Sequence, residues 1–205
     1  MKPKGMNIHS ARCAMKENSK REDIIRAALD LIAERGFHGA PMAMIANRAG
    51  VGAGTIYRYF ESKDVLIAEM FKEMEEKLLD VILKGYHPER SIRERFIYLC
   101  ATVLRYFVAH PRYCRFMEQF LNSPYGVSFR RDKIMGKTGK TDIFTEIFQQ
   151  GIAGKVLKDL PLFVHAALAF GPILALVRDH ILGLIVLDDS LIEKSIEACW
   201  DGIKK

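Results

Sequence analysis

The stretch Ala46-Asn-Arg-Ala-Gly50-Val-Gly-Ala-Gly-Thr55-Ile-Tyr-Arg-Tyr-Phe60-Glu-Ser-Lys63 reads as a short helix, a tight turn and a second, very short helix. Ile45, Ala46 and Ala49 give the first helix an apolar face on which another helix can pack closely, and Gly50 supplies the backbone freedom of a sharp turn. Val51 fills the angle between the two. The second helix, about Ala53 to Tyr59, places Ile56 and Phe60 four residues apart on its inner side. Thr55, Tyr57, Arg58 and Tyr59 are then turned outward, and Gly52 and Gly54 bare the backbone at its N-terminal end.

Hydroxyls, one guanidinium and nearly naked backbone amides are the groups that hold phosphate oxygens and reach base edges. The start of a recognition helix is where a helix-turn-helix makes such contacts. Two plainer readings compete. The spacing Gly50-x-Gly-x-Gly54 could form a phosphate-cradling nucleotide loop, but no strand precedes it and no βαβ pattern surrounds it. A helical hairpin with a merely solvated polar face accounts for Tyr57 or Arg58 singly, and less well for the whole set at this spacing.

At these residues the chain resembles the TetR family of transcriptional regulators. The likeness rests on Ile45-Ala46, Ala49-Gly50-Val51, Gly54-Thr55-Ile56-Tyr57, Tyr59-Phe60, Lys63 and Leu66, and is dense over about residues 22 to 70. The resemblance implies that Thr55, Tyr57, Tyr59 and Lys63 anchor on phosphates of double-stranded operator DNA, while Ala53, Gly54 and Arg58 approach base edges. Two positions depart from the family pattern. Ala40-Pro41 stands where a threonine cap is common, and Ala53 can offer a base only its methyl, which leaves Arg58 as the base reader.

The 205 residues carry a formal net charge of +6, unevenly spread. Residues 1 to 21 hold Lys2, Lys4, Arg12, Lys16, Lys20 and Arg21 against Glu17, a balance of +5, so the rest of the chain sums to +1. Residues 1–18 therefore read as a basic, disordered arm that adds phosphate contacts or enters a minor groove, or else as a floppy start with Met15 as the initiator. Hydrophobic residues at 49% and charged residues at 27% are globular values and argue against a disordered or a membrane protein. Cys13, Cys100, Cys114 and Cys199 have no paired spacing, which points to reduced thiols in a cytoplasm rather than to disulfides or zinc. No continuous apolar stretch marks a signal peptide in residues 1 to 20.

Helical periodicity runs throughout and no β pattern occurs, so the expected fold is all-α: an N-terminal three-helix domain with the helix-turn-helix, a long connecting helix, and a C-terminal helical domain. A capping box at Ser19–Glu22 opens the first helix, which Gly36 ends. Ser62 caps the connecting helix, Lys63 to about Lys84. Gly85-Tyr-His-Pro-Glu-Arg90 then marks the boundary between a DNA-binding part, residues 19–84, and a ligand-binding and dimerisation part, residues 85–205. Further capping boxes at Ser91–Glu94 and Ser190–Glu193 open helices in the second part. Asn122-Ser-Pro124 ends one, residues 125 to 141 read as a mobile loop, and Thr141 caps the next.

Leu160 to Val177 is free of charge and of borderline spanning length, but Pro161, His165, Pro172 and the following Arg178-Asp179 favour a buried interface helix over a membrane span. The family resemblance implies a homodimer in which the last two helices, Pro161 to about Leu187 and the Trp200 helix, pair with their copies. Phe96, Phe107, Phe116, Met117 and Phe120, with Phe144, Phe148, Phe163 and Phe170, exceed what filling a small bundle needs. As a set they suggest a cavity for a small hydrophobic or aromatic effector, with His165 as one polar contact. No catalytic constellation, metal spacing or cofactor motif is present, so the expectation is a ligand-responsive repressor and not an enzyme. The rival is a helical carrier of small molecules with a vestigial DNA module.

Overall fold

A computed structural model describes the backbone of residues 8–134 and 143–205, and side chains over residues 19–132 and 143–205. The described residues form ten α-helices and no strand, as the periodicity predicts: α1 (Ile8–Arg35), α2 (Met42–Arg48), α3 (Ala53–Tyr59), α4 (Lys63–Leu83), α5 (Ile92–Ala109), α6 (Pro111–Leu121), α7 (Pro124–Ile134), α8 (Ile143–Ala153), α9 (Leu162–Ile181) and α10 (Asp189–Ile203). They divide into two compact units, Met1–Glu73 and Met74–Lys205, with the division inside α4 rather than at Gly85. The second half of α4 belongs to the second unit, because the Tyr98 hydroxyl donates to the Ile82 carbonyl at 2.8 Å and Lys77 donates to the Tyr113 hydroxyl at 3.2 Å.

The first unit is built on α1, whose Ile24, Ala28, Leu31 and Ile32 are fully buried. Gly36, at φ +69°, ends α1 in the left-handed conformation that glycine adopts without strain. Arg21 ties α1 to α4 through Glu69 and Glu73 and lies over the Phe60 ring, 5.5 Å from its centroid. Helix α1 does not start at Ser19. It reaches back to Ile8, so from that residue on the basic segment expected to be disordered is helical. Nothing between Ile8 and Ser19 breaks a helix, and Ala11, Ala14, Met15, Lys16 and Glu17 favour one. Ser19 therefore sits inside a helix and caps nothing.

In the second unit α5 is the central helix, packed on α6, α8, α9 and α10. Its start is the expected capping box: the Glu94 amide donates to the Ser91 hydroxyl at 3.3 Å, and the Ser91 amide donates to the Glu94 carboxylate at 3.0 Å. Two other boundaries differ from expectation. Ser123-Pro124 begins a helix instead of only ending one: the Gly126 amide donates to the Ser123 hydroxyl at 3.4 Å, and proline suits the first helical turn. Residues 124–134 are thus α7 and not loop, while the expected Thr141 cap lies outside the described residues. Helix α10 is capped by Asp188, whose carboxylate accepts from the Leu191 amide at 2.8 Å, and not by Ser190, which is already helical. Helix α9 stops at Ile181, ahead of Gly183 at φ +73°.

Candidate functional site

Gly50 adopts φ +66° at the corner between α2 and α3, and the Val51 amide donates to the Ala46 carbonyl at 2.9 Å, closing the turn. Ile45, Ala46, Ile56 and Phe60 are buried, which pins one side of both helices to the core of the first unit. The opposite side of α3 carries Ala53, Gly54, Tyr57 and Arg58, all exposed, with Thr55 and Tyr59 half-buried beside them. No side chain caps α3, because its N-cap is Gly52. A Cβ added at Gly54 would meet nothing within 4 Å, so the fold itself does not require glycine there. A bare backbone at an exposed helix start, unneeded for packing, fits close approach by a partner molecule.

Lys63, which the resemblance assigns to a phosphate, lies in the first turn of α4. Its half-buried ammonium donates to the Phe37 carbonyl, joining the start of α4 to the turn after α1, and burial holds its pKa below the usual lysine value, with Asp64 opposing. An ammonium keeps further donors, so this bond leaves room for a phosphate oxygen. Helix α2 has no side-chain cap, as expected, but its N-cap is Pro41 and not Ala40, and the helix begins at Met42.

Among the described residues, the aromatic set expected to line one cavity falls into groups. Phe144 meets Phe170 edge-on at 4.8 Å. Phe148 lies 6.3 Å from Phe170 and stacks on His165 at 5.4 Å. Phe116 stacks on Phe120 at 6.0 Å, with Phe129 edge-on to the latter at 5.9 Å, and Met117 beside them on α6 is half-buried. Phe96 packs instead on the single tryptophan, Trp200, at 5.4 Å, and Phe107 is buried against Tyr106 at 5.8 Å. Phe163 is 49% exposed and joins none of these groups, since its register places it on the outer face of α9 with Val164 and Leu168. His165 is fully buried; its Nε2 lies 3.0 Å from the Lys158 carbonyl, and its Nδ1 has no partner among the described residues.

Sequence reasoning missed three features. Arg95 is 5% exposed on the inner face of α5. Its signal was its register, three after Ile92 and four before Leu99. A second is the cluster where Tyr106 and Tyr113 stack almost parallel at 6.1 Å, His110 lies 5.7 Å from Tyr113, and Lys77 of α4 sits over the Tyr113 ring. Burial raises the Tyr106 phenol to about 12, so it stays protonated. The third is Glu118, held above the ordinary carboxylate value by burial against the pull of Arg178, 3.6 Å away. Among the described residues no group of His, Cys, Asp or Glu is arranged to hold a metal ion.

Residues 24–70 match the family model of bacterial regulatory proteins of the tetR family, and residues 91–204 match that of a tetracyclin repressor-like C-terminal domain. The chain belongs to the TetR family: it is a ligand-responsive, DNA-binding transcriptional regulator. It is similar to the fatty acid metabolism regulator protein of Bacillus subtilis (strain 168), at 25% identity over 182 residues, 85% of this chain and 92% of that one. Among solved structures, a TetR family protein from Vibrio parahaemolyticus is 32% identical with a TM-score of 0.69, over 91% of this chain and 99% of the other. The regulator FadR of Bacillus subtilis, solved with stearoyl-CoA, shares the fold at a TM-score of 0.69 and 23% identity, over 89% of this chain and 98% of that one.

Proposed function

We propose that the chain is a homodimeric repressor, acting in the cytoplasm, that leaves a near-palindromic operator when an apolar effector occupies the second unit. The observation that carries the DNA half is α3: Ile56 and Phe60 are locked inward while Tyr57 and Arg58 are exposed. In this reading Tyr57, Tyr59, Thr55 and Lys63 hold phosphates, and Arg58 reads a base with Ala53 and Gly54 against the groove.

The dimer reading is supported by the outer face of α9 and the segment after it. Among the described residues α9 is the one helix long and apolar enough to cross a membrane. Phe163, Val164 and Leu168 are exposed on it, and Leu182, Leu184 and Val186 beyond it are 61%, 71% and 77% exposed. A second copy of the same face would cover them.

For the effector, the two aromatic groups, Phe144–Phe148–Phe170 with His165 and Phe116–Phe120, suit an apolar chain or ring. The regulator of fatty acid metabolism and the stearoyl-CoA complex among its relatives favour a long acyl chain. A ligand shifts DNA affinity only by its differential affinity for two arrangements of the protein, and α4 is the single covalent path between the units. A coupling of about 1 to 3 kcal/mol lowers operator affinity roughly 5- to 150-fold. Fluorescence anisotropy on DNA from upstream of the coding region, titrated with saturated acyl compounds, tests this. The expected result is release of DNA by the wild type and a blunted response in Phe120→Ala; compounds that bind yet leave the DNA affinity unchanged would overturn the induction reading.

A further inference from the structure

Arg95 is a cationic side chain buried on α5. Its described partners are neutral. One terminal nitrogen donates to the Gln150 side-chain carbonyl at 2.7 Å, another to the Tyr86 hydroxyl at 3.4 Å, and the buried Nε has no partner among the described residues. The acid in this network is one link away: Glu146 accepts at 2.8 Å from the amide of Gln150, which stands between it and Arg95. Other arginines of the chain meet carboxylates directly, Arg21 with Glu69 and Glu73, Arg178 with Glu118. A buried cation held only by neutral groups is incompletely compensated, and an anion brought to it gains more than one brought to a solvated arginine.

We infer that Arg95 is the specificity-determining residue for the effector's acidic headgroup, a carboxylate or a phosphate on an apolar chain. The inference rests on the apolar-effector reading of the second unit and names the polar end of that ligand. Nε and its neighbouring terminal nitrogen form the edge of the fork that pairs with two oxygens at once. The headgroup's oxygens replace the Gln150 carbonyl and use the unpartnered Nε–H. The aromatic groups are close in the chain. Gln150 lies two residues after Phe148 on α8, and Phe148 stacks on His165, whose Nδ1 is, with Arg95 Nε, a buried nitrogen without a partner among the described residues. Phe96, next to Arg95, touches Trp200, so the one tryptophan reports on this corner.

The test is calorimetric titration of the full chain with decanoate, decyl phosphate and decanol, each below its micelle concentration, with Trp200 emission as a second readout. The wild type is expected to bind at least one anionic compound about ten- to a hundred-fold more tightly than decanol, as charge-assisted hydrogen bonds allow. Whichever anion wins identifies a carboxylate or a phosphate headgroup. Arg95→Met should erase the preference while still binding decanol, and Arg95→Lys should retain part of it. Met fills the same volume without charge, so the fold is expected to survive; Gln150→Leu, which removes only the neutral cover, should leave the preference in place. A wild type that binds all three compounds equally, or an Arg95→Met protein that keeps the preference, would overturn the inference and leave the apolar-effector reading standing. Binding of none would remove both.

Discussion

Gly50 and Gly54 are four residues apart in one motif, yet they are glycine for different reasons. At Gly50 the backbone needs φ +66°, so Gly50→Ala is expected to cost about 1 to 2 kcal/mol of folding stability through left-handed strain. At Gly54 an added methyl meets no protein atom. Gly54→Ala should therefore melt like the wild type and lose DNA affinity, if the groove comes as close as the resemblance implies. Thermal melts and binding isotherms on both variants separate the two roles; a Gly54→Ala protein with normal affinity would contradict the close approach. Glu94 allows a pH test. Its hydrogen bonds to the Ser91 side chain and backbone, in that order, hold its pKa below the ordinary 4.5. A carboxylate with a depressed folded pKa stabilises above its unfolded pKa and loses that contribution as pH falls through the folded value. Glu94→Ala should melt below the wild type at neutral pH, and the gap should close in acid below about pH 4.5.

The helices were legible where apolar spacing and caps agree, as at Ser91–Glu94 and through the stripe Leu66, Met70, Met74, Leu78 and Ile82 of α4, all of them buried. Boundaries failed where a signal has two meanings. Ser123-Pro124 ends one helix and starts the next, and Asp188 and Ser190 both qualify as caps until packing selects one. The outward face of α3 was legible because a short motif fixes both sides of the helix, Ile56 and Phe60 inward and Tyr57 and Arg58 outward. The aromatic set was not, since a phenylalanine count gives no facing: Phe163 points out, and Phe96 closes on Trp200. Arg95 was overlooked because a charge in a core register reads as a break in the stripe rather than as a site. At this scale α6 and α4 make a testable pair. Lys77 donates to the Tyr113 hydroxyl and sits 5.8 Å from its ring centre, so a displacement of α6 reaches α4 there. Tyr113→Ala is expected to leave operator affinity without effector near normal and to reduce the fold-change that the effector produces. An unaltered fold-change in an anisotropy titration would place the coupling elsewhere.

Taken whole, the chain is two compact units that share α4; in the proposed function the first reads DNA, the second takes the effector, and regulation requires two copies acting together. Ala175, half-buried on α9, tests the pairing: Ala175→Glu places a charge in the apolar face and should yield monomers with weak operator binding. Sedimentation showing the unaltered protein as a monomer at micromolar concentration would rule the pairing out. The central claim, that α3 reads a defined sequence as part of a two-fold dimer, is tested most directly by selecting bound duplexes from a random library with the wild type and with Arg58→Ala. The account predicts a near-palindrome with half-sites about one turn, roughly 34 Å, apart. It also predicts that Arg58→Ala relaxes the preference at one base pair of each half-site, by about 1 to 3 kcal/mol. Selection that enriches no common sequence, or the same sequence with equal stringency from both proteins, would contradict it.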